Sequence, residues 1–577
     1  MSASKRRKQT KLVIGLDFGT TFSGIAWALE GCKGDFVEVI QEWPGKGNST
    51  SQKAPTLISY HSNEIQWGYQ VDDINTAVRG VKLLLDTSQP TRYIPAAESE
   101  RLIRALKKEP VAVAGDYMKM IVSHAKQILH RQGMGDLLER PDVKYILTIP
   151  GVWSHKAEDL TMQAACLAGI PRNNLTVLSE PEAAAIYAIR TIQPNKMTEG
   201  DCFIVCDAGG GTVDLITYRI TQLEPMRMEE VTEGTGEVCG SVILDGLFED
   251  YLVRTLGKKV YKGMSNATKR IAMQRWQNDI KPHYSGPDDE NEDLDLGYVI
   301  PIPAMPNGVL YMEHGHVKGI FDHVVSQIEG LISAQEKSMK RAGFSAKAIV
   351  LVGGLGASEY VYKRLKRRFE GTEVMQPLNA WSAVVRGAVH RGLEGNQVDN
   401  RKARSHYGVQ NHVKFDPAIH KGKSPKWDSL QEDWRVHKQM RWYIMKGGTI
   451  SEDSPISFSF YRCVRKGHSM VFTSHLQSCL KEAAPEECSS GKLLDVRGKQ
   501  MAARTNHILI EDTPTLCELT TDLSQVPKEL FRSHVNSQGV EYYKVDFDLV
   551  LTPRSASLLF ELRFNGMNYG TVQARYV

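Results

Sequence analysis

Apolar positions along the chain fall into two regimes. From Lys11 to about residue 395, short apolar runs alternate with helically spaced stretches and Gly-rich turns, as an α/β architecture requires. Tyr145-Ile146-Leu147-Thr148-Ile149-Pro150 predicts a buried strand, and His155 to Ala168 predicts the helix after it, with Leu160, Ala164 and Leu167 at helical spacing before Gly169 and Pro171. Phe321, Val324, Val325, Ile328, Leu331 and Ile332 form one stripe between Ile320 and Met339. That stripe predicts a long amphipathic helix leading into the strand Ala348-Ile349-Val350-Leu351-Val352 and then Gly353-Gly354. After about residue 400 the period changes to two, as in Ile456-Ser457-Phe458-Ser459-Phe460 and in Val545, Phe547, Leu549 and Leu551 with polar residues between them. Phe560, Leu562 and Phe564 then meet Asn565-Gly566, a hairpin signal. Such alternation needs one buried and one wet face, so residues 400–577 are predicted to form a separate β-rich domain.

Two stretches of the first regime resemble each other. Leu12-Val13-Ile14-Gly15-Leu16-Asp17-Phe18-Gly19-Thr20-Thr21 and Phe203-Ile204-Val205-Cys206-Asp207-Ala208-Gly209-Gly210-Gly211-Thr212 each run an apolar strand into Asp, then glycine, then threonine. The repeat predicts two similar lobes, residues 11–200 and 201–395, each opening on a hairpin turn aimed at a common cleft. A chain of 577 residues has room for this, because single cores stop growing at roughly 250 to 300 residues.

Composition narrows the function classes. With 41% apolar and 24% charged residues the chain is of ordinary globular type, and a net charge of +4 gives no basic face for nucleic acid. Lys5-Arg6-Arg7-Lys8 is either part of a solvated, disordered tail over residues 1–10 or a short import signal or anionic-surface contact. The acidic run Asp288 to Asp295 predicts an exposed loop rather than a metal site. Nine cysteines with no C-x-x-C pair point to a reducing compartment. The start of the chain lacks a secretory apolar region and no run of about 18 apolar residues occurs, so no membrane role is expected. Cytosol, with nuclear access, is the expected location.

The paired turns carry the chemistry. Binding a triphosphate takes backbone N–H groups, glycines that let the backbone approach, hydroxyl donors, and carboxylates that hold magnesium through its water. Gly19, Thr20 and Thr21 supply the first three in one turn, and Gly209, Gly210, Gly211 and Thr212 in the other. Asp17 and Asp207 stand where two carboxylates from separate lobes meet one hydrated magnesium.

Ile14 to Ser23, Leu178-Ser179-Glu180-Pro181-Glu182-Ala183-Ala184-Ala185, Asp207 to Asp214 and Leu351-Val352-Gly353-Gly354 resemble the phosphate-1, connect-1, phosphate-2 and adenosine segments of the heat-shock protein 70 family. The resemblance covers residues 11–395. It implies a two-lobed, actin-like (ribonuclease H-like) ATPase fold that binds ATP or ADP with Mg2+ and hydrolyses ATP slowly. The tail resembles instead the divergent heat-shock 70 kDa protein 12 group, through the segment near Trp442 and Lys446 to Pro455. A protein client or cochaperone acting through that tail is the partner implied.

By position, the resemblance gives Thr20, Thr21 and Phe22 phosphate contacts, Asp17, Asp207 and Glu180 the magnesium shell, and Lys82 the charge on the γ-phosphate. Lys82 is otherwise a solvated helix lysine, Glu180 a helix N-terminal carboxylate, and Asp214 either a water-positioning group or a turn cap. Lys281, Ser285, Gly353, Gly354 and Leu355 are the nucleoside contacts implied, with a plain surface helix the other reading of the first two. The nucleoside end departs from the family. Val242 stands for a ribose glutamate, Ala357 for an adenine-stacking arginine, Pro282 follows Lys281 at a second arginine position, and Trp381 replaces a late aspartate. Two functions follow: an ATP-driven, chaperone-like switch, or a nucleotide-binding scaffold with little turnover. A small-molecule kinase would need an acceptor pocket with its own base, for which the sequence has no marker.

Overall fold

The computed structural model describes residues 10–31, 36–61, 64–86, 94–192, 197–286, 297–488, 492–493, 509–510 and 513–577. The basic cluster at 5–8 and the acidic run at 288–295 lie outside the described residues. Residues 1–398 form one compact unit and residues 399–577 a second.

The first unit is built on two sheets of the same design. In one, Leu12–Asp17 pairs antiparallel with Phe22–Leu29 and parallel with Lys144–Ile149, which is followed by Leu175–Ser179. In the other, Cys202–Ala208 pairs antiparallel with Val213–Gln222 and parallel with Ala346–Val352. Leu12–Asp17 and Cys202–Ala208 are buried along their whole length, which is why both read as continuous apolar runs rather than alternating ones. In the hairpin registers Asp17 faces Gly24 and Asp207 faces Asp214, so each sheet carries a carboxylate at the mouth of its first hairpin.

Two helices join these sheets. Glu180–Ile192 leaves the first sheet and packs on the second, while Ala383–Glu394 follows the second and packs on the first. They meet through small residues. Ala183, Ala184 and Ala185 are fully buried, and a Cβ placed on Gly387 would overlap the Ala183 carbonyl oxygen. Gly15 serves the same approach from the sheet, since a Cβ there would stand 2.9 Å from the Val385 oxygen. One core therefore holds Val13 and Ile146 of the first sheet, both helices, and Phe203, Val205 and Val350 of the second.

The helix after Lys144–Ile149 runs His155–Leu167, but Leu167 is 60% exposed. Ala157, Thr161, Ala164 and Ala165 fill the interface instead, because the helix Pro110–Arg131 comes so close at Gly115 that a methyl there would lie 3.0 Å from Leu167 Cβ. The amphipathic helix runs His314–Arg341 and buries Phe321, Val324, Val325, Ile328 and Ile332, with Leu331 at the edge.

The second unit is all strand apart from one short 3-10 turn, among the described residues. Two antiparallel sheets share one core in which Phe458, Phe547, Leu549 and Leu551 meet Leu476, Cys517 and Leu519. Phe564 and Met567 close a two-residue hairpin over Asn565 and Gly566, whose φ values of 47° and 79° are those of the primed turn.

The helix crossing sets a stability test. Gly387→Ala is expected to lower unfolding free energy by about 2–3 kcal/mol through overpacking. Gly246→Ala, in the helix Val242–Leu256 with open space around it, should raise it by about 0.5–1 kcal/mol. Urea unfolding midpoints of the two variants measure both effects.

Candidate functional site

The hairpin turns of the two sheets meet. Gly19 has no room for a side chain, since a Cβ would overlap the Phe22 carbonyl oxygen, and its N–H donates to Ser23 Oγ at 3.3 Å. Thr56 braces the same turn, its Oγ1 donating to the Gly19 carbonyl at 2.9 Å. Opposite, Gly209 N–H donates to the Thr212 carbonyl at 2.9 Å. A Cβ on Gly211 would lie 2.5 Å from Thr20 Oγ1, and one on Gly210 would overlap Thr21 Oγ1. Only glycine lets the turns approach this far.

The carbonyls of the second turn are satisfied from behind. Gly240, Ser241 and Val242, at the start of the helix Val242–Leu256, donate their N–H groups to Gly211, Gly209 and Gly210. Among the described residues, the N–H groups of Thr20, Thr21, Gly210 and Gly211 have no protein acceptor. Backbone donors and threonine hydroxyls thus gather at one place, the arrangement that suits a polyanion.

Four carboxylates lie beneath the turns, each at most 9% exposed: Asp17, Glu180, Asp207 and Asp214. Asp214 Oδ1 accepts the Val152 N–H at 2.9 Å, a structural bond of the kind a turn cap makes. Lys82, in the short 3-10 turn Val81–Leu85, is 2% exposed and pairs with Glu180, its Nζ also 5.4 Å from the centre of the Trp153 ring. It is not a solvated lysine. Asp17 Oδ2 pairs with Lys53 Nζ at 2.5 Å, and Thr148 Oγ1 donates to Oδ1 at 3.4 Å. Asp207 is held against Gly353, where a Cβ would lie 2.5 Å from Oδ1.

Burial, and next the charges of Glu180, Asp214 and Asp17, hold the Asp207 carboxyl well above the usual carboxylate range, with Lys53 opposing. Burial likewise pushes Glu180 up to about 7; Lys82 opposes, and Asp17 and Asp214 add to the rise. When ionised, four carboxylates face two ammonium groups, so the cluster carries two uncompensated negative charges. Such a site favours an added cation. Among the described residues no three His, Cys, Asp or Glu side chains converge to hold an ion directly. That donor set fits magnesium bound through its own waters at Asp207 and Glu180. Asp17 fits less well, because an ammonium already holds its outer oxygen.

The nucleoside-side residues are arranged differently. Gly353, at φ 89°, and exposed Gly354 open a turn in which Leu355 and Gly356 donate N–H groups to the Ala208 carbonyl at 2.9 and 3.0 Å. Leu355 itself is 3% exposed and packs in the core, so its side chain does not face the turns. Lys281 Nζ pairs with Asp245 Oδ1 at 2.7 Å, which also accepts Trp276 Nε1–H at 2.9 Å. The lysine is thereby tied to the helix Val242–Leu256. Ser285 is half-buried and makes no hydrogen bond among the described residues. Trp381 packs edge-on to Phe22 at 5.5 Å and lies 3.5 Å from a Cβ on Gly354, bridging the first turn to the third.

Sequence reasoning did not single out Lys53. It stands in Ser51-Gln52-Lys53-Ala54-Pro55, where no motif marks it, and only the pairing of Ala54–Pro55 with Phe22 and Ser23 carries it to Asp17.

Residues 13–399 match the family model described as Hsp70 protein. The chain is 23% identical to the human heat shock 70 kDa protein 12A over 502 residues, spanning 69% of this chain and 72% of that protein. It is 24% identical to the human heat shock 70 kDa protein 12B, spanning 71% and 72%. A chaperone protein HscA homolog of Neisseria meningitidis serogroup B is 31% identical over 240 residues, 38% of this chain and 34% of that one.

The third turn offers a direct test of the geometry. Gly353→Ala forces a positive φ on alanine and a methyl onto Asp207, and is expected to destabilise the protein by about 2–3 kcal/mol. Gly354→Ala makes only ordinary contact with Trp381 and should stay within about 0.5 kcal/mol of the parent. Denaturant titrations of both variants decide it.

Proposed function

Because the chain belongs to the heat-shock protein 70 family, as a divergent member similar to the 12A and 12B proteins, we propose that it binds ATP between the two hairpin turns of an actin-like, two-lobed core and hydrolyses it slowly. The observation that carries this reading is the meeting of Thr20 and Thr21 with Gly211 and Gly210, above four buried carboxylates and two lysines. A phosphate chain satisfies the free N–H groups of both turns at once, so the ligand ties the lobes together.

Phosphoryl transfer asks the protein for positioning and charge stabilisation more than for covalent work. In the proposed mechanism Lys82 leaves Glu180 for the γ-phosphate and offsets the charge that develops there. Glu180, whose affinity for a proton burial raises and Lys82 holds down, gains basicity as the lysine departs, orients the attacking water and takes its proton. Asp214 fixes the loop at Val152, next to Trp153, whose ring the Lys82 ammonium faces. Magnesium, held through water by Asp207 and Glu180, would supply charge neutralisation on the phosphates. Domain closure around the ligand then moves the lobes, and the β-rich unit reads the result as a chaperone-like switch acting on a client or cochaperone in the cytosol, with access to the nucleus.

The reading of a nucleotide-binding scaffold with little turnover draws support from the Lys53 hold on Asp17 and from the Lys281–Asp245 pair. Thermal stabilisation by ATP without phosphate release selects that reading.

Phosphate release from the purified chain beside an Asp207→Asn variant tests the proposal. The variant should lose turnover by about a hundredfold or more while keeping its fold by circular dichroism. Equal rates in the two proteins would remove Asp207 from the site.

A further inference from the structure

Lys53 is built into the site by the sheet. Ala54–Pro55 pairs with Phe22 and Ser23, which brings the preceding residue alongside Gly24, the register partner of Asp17. Gly24 has no side chain, and the lysine stem crosses it: a Cβ there would lie 3.2 Å from Lys53 Cγ. The Lys53 carbonyl is fixed by Ser51 Oγ at 2.8 Å and by the Tyr69 hydroxyl at 3.2 Å. The backbone is anchored and the stem has one path, which ends at Asp17.

The ammonium is under-used where it ends. Its side chain is 9% exposed and carries three N–H donors, yet among the described residues Asp17 is its one hydrogen-bond acceptor. Its charge also favours the ionised form of Asp207. It therefore already occupies one of the two aspartates that a hydrated divalent ion was expected to bridge, with donors left over at Asp17 beside the first turn. A lysine held only for structural pairing would be satisfied by its surroundings, because an unpaired buried donor is costly.

We infer that the Lys53 ammonium is a built-in cation at this position, donating to the phosphates of the bound nucleotide, so that the chain binds its nucleotide with little dependence on a divalent ion. The inference rests on the nucleotide reading and deepens it. Binding and turnover are separated by it: Lys53 supplies the charge that holds the polyphosphate, whatever turnover then requires at Asp207 and Glu180.

Calorimetric titration of the full chain with ATP, in magnesium chloride and again in EDTA, tests this. The wild-type Kd should change by less than about threefold between the two conditions. Lys53→Met should lose about tenfold or more in EDTA and regain most of it with magnesium, while Lys53→Arg keeps the wild-type pattern. Since Lys53→Met leaves Asp17 buried without a partner, Lys53→Met/Asp17→Asn takes its place if the single variant does not fold, with the same loss expected in EDTA. Wild-type binding that falls about tenfold or more on chelation, or a Lys53→Met protein that binds in EDTA like the parent, overturns this inference alone. No binding by the wild type in either condition overturns the nucleotide reading, and this inference with it.

Discussion

Mutual repulsion among buried carboxylates is the constraint around which this molecule is arranged. Asp17, Glu180, Asp207 and Asp214 come from both sheets and lie within range of one another, out of contact with bulk water. Burial, and next their mutual repulsion, raises the affinity of Asp207 and Glu180 for protons. The protein opposes that rise with two ammonium groups, and both lysines reach the cluster from outside the main strands, Lys82 from a 3-10 turn and Lys53 from the residue before a short edge strand. With all four carboxylates ionised, their attraction does not neutralise the cluster. The remaining deficit of positive charge is what makes the place beneath the turns a site rather than a core.

A cluster held this tightly needs rigid walls, and the helix crossing provides them. Glu180 begins the helix that carries Ala183, Ala184 and Ala185 into the crossing at Gly387, so the carboxylate and the closest helix contact in the unit are less than a turn apart. A change in how that helix sits shifts Glu180 relative to Lys82. Because packed interfaces move between discrete arrangements rather than deforming smoothly, a small ligand at the turns can be coupled to a movement of the two sheets. The same glycines and alanines that allow close packing thus place a titratable group beside the helix crossing.

Much of this was legible in the sequence, and the parts that were share a physical reason. Buried strands followed by Asp, glycine and threonine leave a local signature, so both hairpins, the long helix His314–Arg341 and the Asn565-Gly566 turn could be found from neighbouring residues alone. Features set by distant partners could not. Leu167 obeys the helical period yet is 60% exposed, its side chain lying at the rim of the contact with Gly115 on another helix. Leu355 stands in the segment that the resemblance assigns to the nucleoside, but the Ala208 carbonyl captures its N–H and the core takes its side chain. Lys53 carries no motif at all, and its partner is 36 residues away across a strand pairing.

The hairpin turns and the segments that the resemblance assigns to the nucleoside therefore differ in what they offer a ligand. At the two hairpin turns, glycines, hydroxyls and ammonium groups converge from independent elements. In the nucleoside segments, Val242 is buried, Lys281 is spent on Asp245, and Leu355 belongs to the core, while Trp381 packs beside Phe22 and Gly354. Discrimination between bases comes from buried polar groups that a wrong base leaves unpaired, whereas an aromatic face accepts any base. Under the nucleotide reading, affinity in this chain resides in the polyphosphate, and the identity of the base counts for less than the number of its phosphates.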